Sequence, residues 1–324
     1  MTITEPKATG SEPAPRVDST FVSMVERLSR QSVEKHSDAY ADIDWDAEVN
    51  RVDAADPRWS LWPDDPLATS EWYQAQSPEM KSRIALQRVA TAMRVGLQFE
   101  NLLQRGLLLH AFHLPNHSPE YRYLHHEVIE ESQHSLMFQE LINRTGLNVG
   151  GMPRAFRAAA SLVFPSLNQR FRALFFMFVL GGEDPVDHLQ RQQLRVGVTH
   201  PLVEQIMRIH VTEEARHVSF ARHYLIKEVP ELGWLHRHVL AVAAPLLFVV
   251  MGRLMVWPSR QMAHDIGMPI AEWRRVVHSP ECRRLLADSL TKPRKLCRQL
   301  GLDGPVARFL WRITGGGALP RNAA

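Results

Sequence analysis

Two Glu-x-x-His pairs, Glu131–His134 and Glu214–His217, constrain this chain more than any other feature. Each sits in the middle of a long segment with helical apolar periodicity. Leu124, Val128, Phe138 and Ile142 share the stripe of the first pair, and Ile206, Val218, Ala221 and Leu225 that of the second. At i, i+3 a carboxylate and an imidazole leave one helix face together, so each pair can grip a metal ion. A charge on an apolar stripe must be paired or metal-bound, because burying it alone is costly.

The remaining donors of a two-metal bundle are in place. A carboxylate-bridged dimetal site in a four-helix bundle takes one Glu from each of two helices and Glu-x-x-His from each of the other two. Glu100 is the only acidic residue between Glu79 and Glu120, and Glu183 follows the apolar run FFMFVLGG. The order Glu100, Glu131/His134, Glu183, Glu214/His217 therefore matches such a site helix by helix. Oxygen-rich donors with imidazoles suit iron or manganese. His210 adds to this, since His210-x-x-x-Glu214-x-x-His217 places a further imidazole on the same helix face. Read from spacing alone, it is either a seventh ligand or a partner that hydrogen-bonds one.

The rest of the chain reads as helices. Strand alternation and Asn-Gly hairpins are missing from the sequence. Helices are expected from Pro78 to near Pro115, from Ser118 to about Arg144 with Gly146 as its stop, and from Pro165 to about Arg195. Two more are expected from Pro201 to about Val229 and from Leu232 to Trp257, and two shorter ones between Ala271 and Gly301. Val239 to Gly252 is strongly apolar but too short for a membrane span and is expected as a buried core helix. Residues 1–20 read as a disordered tail, 21–314 as a single helical domain, and 315–324 as a flexible tail beginning at the Gly315–Gly317 run.

Composition narrows the function classes. A net charge of +3 over 324 residues does not predict nucleic-acid binding. Cys282 and Cys297 form no Cys-x-x-Cys motif, which argues against a zinc ribbon or a disulfide scaffold and suits a cytoplasmic protein. No signal-peptide pattern opens the sequence.

The quartet Glu100, Glu131/His134, Glu183 and His210/Glu214/His217 resembles the di-iron arylamine N-oxygenases, the p-aminobenzoate N-oxygenase family. In that family a third histidine stands four residues before the second Glu-x-x-His glutamate, and the 27-residue step from Glu183 to His210 is similar. Trp59, Trp62, Pro63, Pro66 and Leu67 resemble the family's lead-in to the first ligand helix. The likeness covers roughly residues 55–260.

The resemblance implies an all-α, ferritin-like four-helix bundle core with additional flanking helices. It further implies a homodimer, two iron ions per chain and O2 as co-substrate. The expected reaction oxidises an aromatic amine toward hydroxylamine, nitroso and nitro products through a peroxo-diferric species. The substrate would be small and aromatic or apolar, held by a pocket near Phe99, Leu103 and the fifth helix, and an external donor would supply electrons. Six of the seven ligands fit other di-iron oxidations equally well, such as hydroxylation or desaturation of an acyl or aliphatic substrate. A ferritin-like iron or manganese binding protein is the reading outside oxygenase chemistry.

One departure concerns the residue before each Glu-x-x-His glutamate. Many such oxygenases have Asp there, bonded to the ligand histidine of the opposite helix, and this chain has Glu130 and Glu213. The expectation is that Glu130 orients His217 and Glu213 orients His134. Glu127 and Asp187 stay open between supporting a ligand and facing elsewhere. Gly181 and Gly182 are expected to let the helix carrying Glu183 deform. His110, His113, His117, His125, His126 and His188 lack a Glu at the right spacing and are expected at the surface or in structural roles.

Overall fold

A computed structural model describes residues 19–197 and 199–317, with side chains for all of these except 163–170. All regular structure among them is helical. A short chain of preliminary elements, α1 (Ser19–Glu34) and α2 (Glu71–Gln74), leads to the first long helix. The core then comprises α3 (Pro78–Phe112), α4 (Pro119–Thr145), α6 (Arg172–Val196) and α7 (Pro201–Glu228), with α5 (Arg154–Arg170) between the two pairs. Next come α8 (Trp234–Val256), α9 (Arg260–Asp265), α10 (Ile270–Val277), α11 (Pro280–Ser289), α12 (Thr291–Gln299) and α13 (Pro305–Ile313).

Local chemistry sets the ends of the ligand helices. Ser77 caps α3 by accepting from the Met80 N–H, and Pro78 occupies the first turn, where a missing N–H costs nothing. Gly146 ends α4 at φ 66°, a left-handed conformation that suits glycine. Ser118 stands at the head of α4 without a side-chain cap bond. α3 packs along α4 and α6 along α7, while α4 meets α7 at the centre. This is the expected all-α bundle. α1 lies against α4 and α7, α5 against α3 and α6, and α8 against α6.

Three boundaries differ from expectation. Pro165 falls inside α5 rather than opening the third ligand helix, which starts at Arg172 after a break at Phe171 (φ −152°, ψ 68°). Apolar periodicity runs through this break, so the pattern alone does not reveal it. The region 271–301 holds α10, α11 and α12 instead of two helices. Ser19 and Thr20, placed in the tail on sequence grounds, begin α1; residues 1–18 and 318–324 lie outside the described residues.

The core centres on α6, where Phe175 to Leu180 are fully buried. α8 is apolar all round but covered on one face. Leu240, Ala244, Phe248 and Met251 are buried, whereas Val239, Val242, Leu246 and Val250 are 40–49% exposed. It is long and apolar enough to cross a membrane, yet half of its most hydrophobic window is packed inside the fold.

Candidate metal centre

The bundle brings all seven sequence-predicted donors to one place. Glu100 comes from α3, Glu131 and His134 from α4, Glu183 from α6, and His210, Glu214 and His217 from α7. None is more than 2% exposed. His217 Nδ1 lies 2.9 Å from Glu131 Oε1 and 3.1 Å from Glu214 Oε1. His134 Nδ1 lies 3.1 Å from Glu131 Oε2 and 3.4 Å from Glu214 Oε1. Glu131 and Glu214 thus face both imidazoles. His210 Nε2 lies 3.6 Å from Glu100 Oε1 and 3.9 Å from Glu214 Oε1. Glu100/His134/His210, Glu183/His210/Glu214 and Glu100/Glu131/Glu183 each gather donor atoms within 4.8 Å.

Several of these atoms have no hydrogen-bond partner: Glu100 Oε2, Glu183 Oε1, Glu214 Oε2 and His210 Nδ1. Buried carboxylates in this state require cations or protons. The donor set fits two cations that favour oxygen and imidazole, as iron and manganese do.

Both orienting bonds cross between the helices. Glu130 Oε2 accepts from His217 Nε2 at 2.7 Å, and Glu213 Oε2 accepts from His134 Nε2 at 2.9 Å. The longer Glu side chain spans the gap. A carboxylate at Nε2 keeps the proton there and turns Nδ1 toward the metal position. Two supports escaped the sequence reading. The Arg216 guanidinium lies 2.8 Å from Glu130 Oε1 and 3.7 Å from Glu213 Oε1, balancing both orienting carboxylates. Its place between Glu214 and His217 was the available signal. The Ser37 N–H donates to Glu213 Oε1 at 2.8 Å from the segment after α1, a tertiary contact without a sequence signature.

The charges are tuned by burial and crowding. Burial, then repulsion from neighbouring carboxylates, pushes Glu100 and Glu183 well above the usual range. Burial and the nearby His134 hold His210 down to about 4, leaving a neutral imidazole ready to donate a lone pair. For His134 and His217 burial acts downward, but the surrounding carboxylates override it and raise both well above the ordinary value.

Gly182 has a packing role. A Cβ there would stand 2.2 Å from Phe99 Cζ, so its absence lets the Phe99 ring lie against α6 beside both Glu100 and Glu183. Gly181 faces Met251 in the same way at 3.2 Å. α6 continues through both, although Pro185 denies the Gly181 carbonyl its helical donor. Asp187 turns away from the centre and binds Arg191 Nε at 2.6 Å and Lys292 Nζ at 2.9 Å. His110 is buried among Phe176 and Tyr224 without joining the donor cluster. Glu127 is 1% exposed, has both oxygens unpartnered, and lies with Glu131 and His217 in a donor group of its own.

A cavity of about 120 Å³ reaches the centre at Glu100, Glu183 and His210. Phe99, Phe138, Met93 and Met207 form apolar walls, and Trp59 and Trp62 close part of it from the segment ahead of α3. Trp59 is held by stacking on His200, with ring centroids 4.1 Å apart. The fifth predicted helix, α8, contributes Met255. Leu103, expected on the wall, belongs to the core and does not line the cavity.

Residues 18–301 match the family described as P-aminobenzoate N-oxygenase AurF. An uncharacterized protein of Mycobacterium tuberculosis (strain CDC 1551 / Oshkosh), MT0908, is 42% identical over 298 residues, covering 91% of this chain and 87% of the relative. Another, Mb0909 of Mycobacterium bovis (strain ATCC BAA-935 / AF2122/97), is 41% identical over the same span and shares. No solved structure matches. With the family match spanning most of the sequence, the chain belongs to the p-aminobenzoate N-oxygenase family, a di-iron, ferritin-like family of oxygenases.

Proposed function

We propose that this member of the family N-oxygenates a small aromatic amine. One observation carries the reading: a cavity with aromatic walls ends on Glu100, Glu183 and His210, three of the seven donors. An apolar cavity of roughly 150 Å³ holds benzene, so about 120 Å³ is the scale of a single ring with little room for an acyl chain. Phe99 and Phe138 would contact the ring faces, with the amine nitrogen directed at the centre.

Two iron ions held by the seven donors would supply activation of O2. The protein's part is positional. Glu130 and Glu213 hold the Nε2 protons of His217 and His134, and the apolar walls keep bulk water from the donors. His210, neutral at physiological pH, adds electron donation without adding charge. The reading calls for an external electron donor. The proposed working unit is a homodimer.

The test is turnover by iron-loaded protein given O2, a chemical reductant and a panel of anilines, with hydroxylamine, nitroso and nitro products resolved by chromatography. His210→Ala is expected to fold normally and lose N-oxygenation by at least tenfold. Normal turnover by that variant would remove His210 from the ligand set. An inert amine panel alongside oxidation of aliphatic or acyl substrates would replace the amine reading.

A further inference from the structure

The donors repeat in register along the chain. Glu100 and Glu183 are 83 residues apart, and so are Glu130 and Glu213, Glu131 and Glu214, and His134 and His217. The same step carries Glu127 onto His210. The structure honours this correspondence. His210 groups with Glu214 of its own helix and Glu183 of α6, and its ring centroid lies 4.6 Å from that of His134, on the opposite helix. Glu127 groups with Glu131 of its own helix and with His217, again opposite, their donor atoms all within 4.8 Å.

We propose that Glu127 is an eighth donor to the dimetal centre, an anionic oxygen occupying in the first half the position that His210 occupies in the second. The inference rests on the dimetal reading above. Glu127 is buried, and neither carboxylate oxygen has a hydrogen-bond partner. The Tyr123 hydroxyl one turn earlier is buried beside it but makes no hydrogen bond of standard geometry to it. A carboxylate in that setting needs a cation or a proton, and the metal position beside His217 and Glu131 offers the cation. Glu127 does not line the cavity, whereas His210 does. The two metal positions are therefore unlike: one is closed by an extra oxygen, and the other is imidazole-rich and faces the substrate space. The extra negative charge also favours the more highly charged states of the ion it touches.

The experiment is anaerobic titration of the metal-free, full-length protein with Fe²⁺ or Mn²⁺, followed by calorimetry and by metal content after gel filtration. Wild type, Glu127→Gln and Glu127→Leu are compared, with Glu140→Gln, which lies on α4 outside the donor cluster and pairs with Arg144, as a control. Wild type and control should take two ions per chain. Both Glu127 variants should keep one site and weaken the other at least tenfold, in line with losing a donor or its support. Thermal melts add a second readout. Without metal, the Glu127 variants should melt above wild type, having lost an unpaired buried carboxylate; with metal they should melt below it. Unchanged affinity for both ions in Glu127→Gln, with Tm shifts of the same sign in both states, would show that Glu127 merely holds a proton. A wild-type protein binding fewer than two ions would overturn the dimetal reading and this inference with it.

Discussion

His110 shows at residue scale what burial does to a histidine that no metal claims. Its two nitrogens have no partner, and its ring stands edge-on to Phe176 and Tyr224. Burial, then repulsion from Arg172 and Lys227, lowers it from 6.5 to about 3. Its folded value is thus below its unfolded one. The stability it permits is complete above about pH 6.5 and declines toward pH 3, by up to about 1.4 kcal/mol per pH unit. Replacing it by Phe should flatten this part of the acid limb. The comparison of wild-type and His110→Phe melting temperatures between pH 7 and pH 4 checks it: the difference should grow in the variant's favour as pH falls. His210, at the same depth of burial, differs because Glu100, Glu183 and Glu214 surround it.

At the scale of elements, α6 is the helix on which most is demanded. It carries Glu183, the fully buried aromatic run, a proline without an N–H, and a glycine whose empty side lodges Phe99. Gly182→Ala should gain about 1 kcal/mol of helix propensity and lose more to the clash with Phe99, as overpacking typically costs about 1–3 kcal/mol. The expected net effect is a lower Tm with reduced metal occupancy, since Phe99 adjoins Glu100; melting and metal analysis of the purified variant decide it. A raised Tm with full occupancy would show that the Phe99 ring moves freely.

The ligand helices were legible in the sequence because their demands are local. Pro78, Gly146 and the i, i+3 pairs act within a turn, and a buried Glu on an apolar stripe is conspicuous. The break at Phe171 was not legible, because apolar residues continue through it. Gly181 and Gly182 looked like a flexible point because the side chains that fill their space, Met251 and Phe99, are 70 and 83 residues away. Ser37, Trp59 and His200 were illegible for the same reason: their roles arise only when distant segments meet. Leu103 shares a helix with Phe99 but faces the core, and its side depends on how α3 is rotated against α6.

At the scale of the whole molecule, the outer face of α8 stands out. Val239, Val242, Leu246 and Val250 repeat at helical spacing and remain 40–49% exposed. Apolar surface of this kind marks an interaction site more often than bare surface, and a second copy of the chain is the occupant the proposed homodimer calls for. Native mass spectrometry should find a species near 74 kDa, twice the 37.0 kDa chain. Leu246→Glu should shift it to the monomer with the helical spectrum unchanged. A dimer that survives the substitution would place the interface elsewhere.

The arm that follows α1 bears on the centre from farther away. Through its N–H, Ser37 holds one oxygen of Glu213, whose other oxygen holds His134, while Gln133 fastens Ala39 two residues on. The start of the protein is thereby stitched to a metal-facing imidazole near its middle. Cutting this arm, far in sequence from His134, is expected to loosen the imidazole, so metal content after limited proteolysis should fall although every candidate donor is intact.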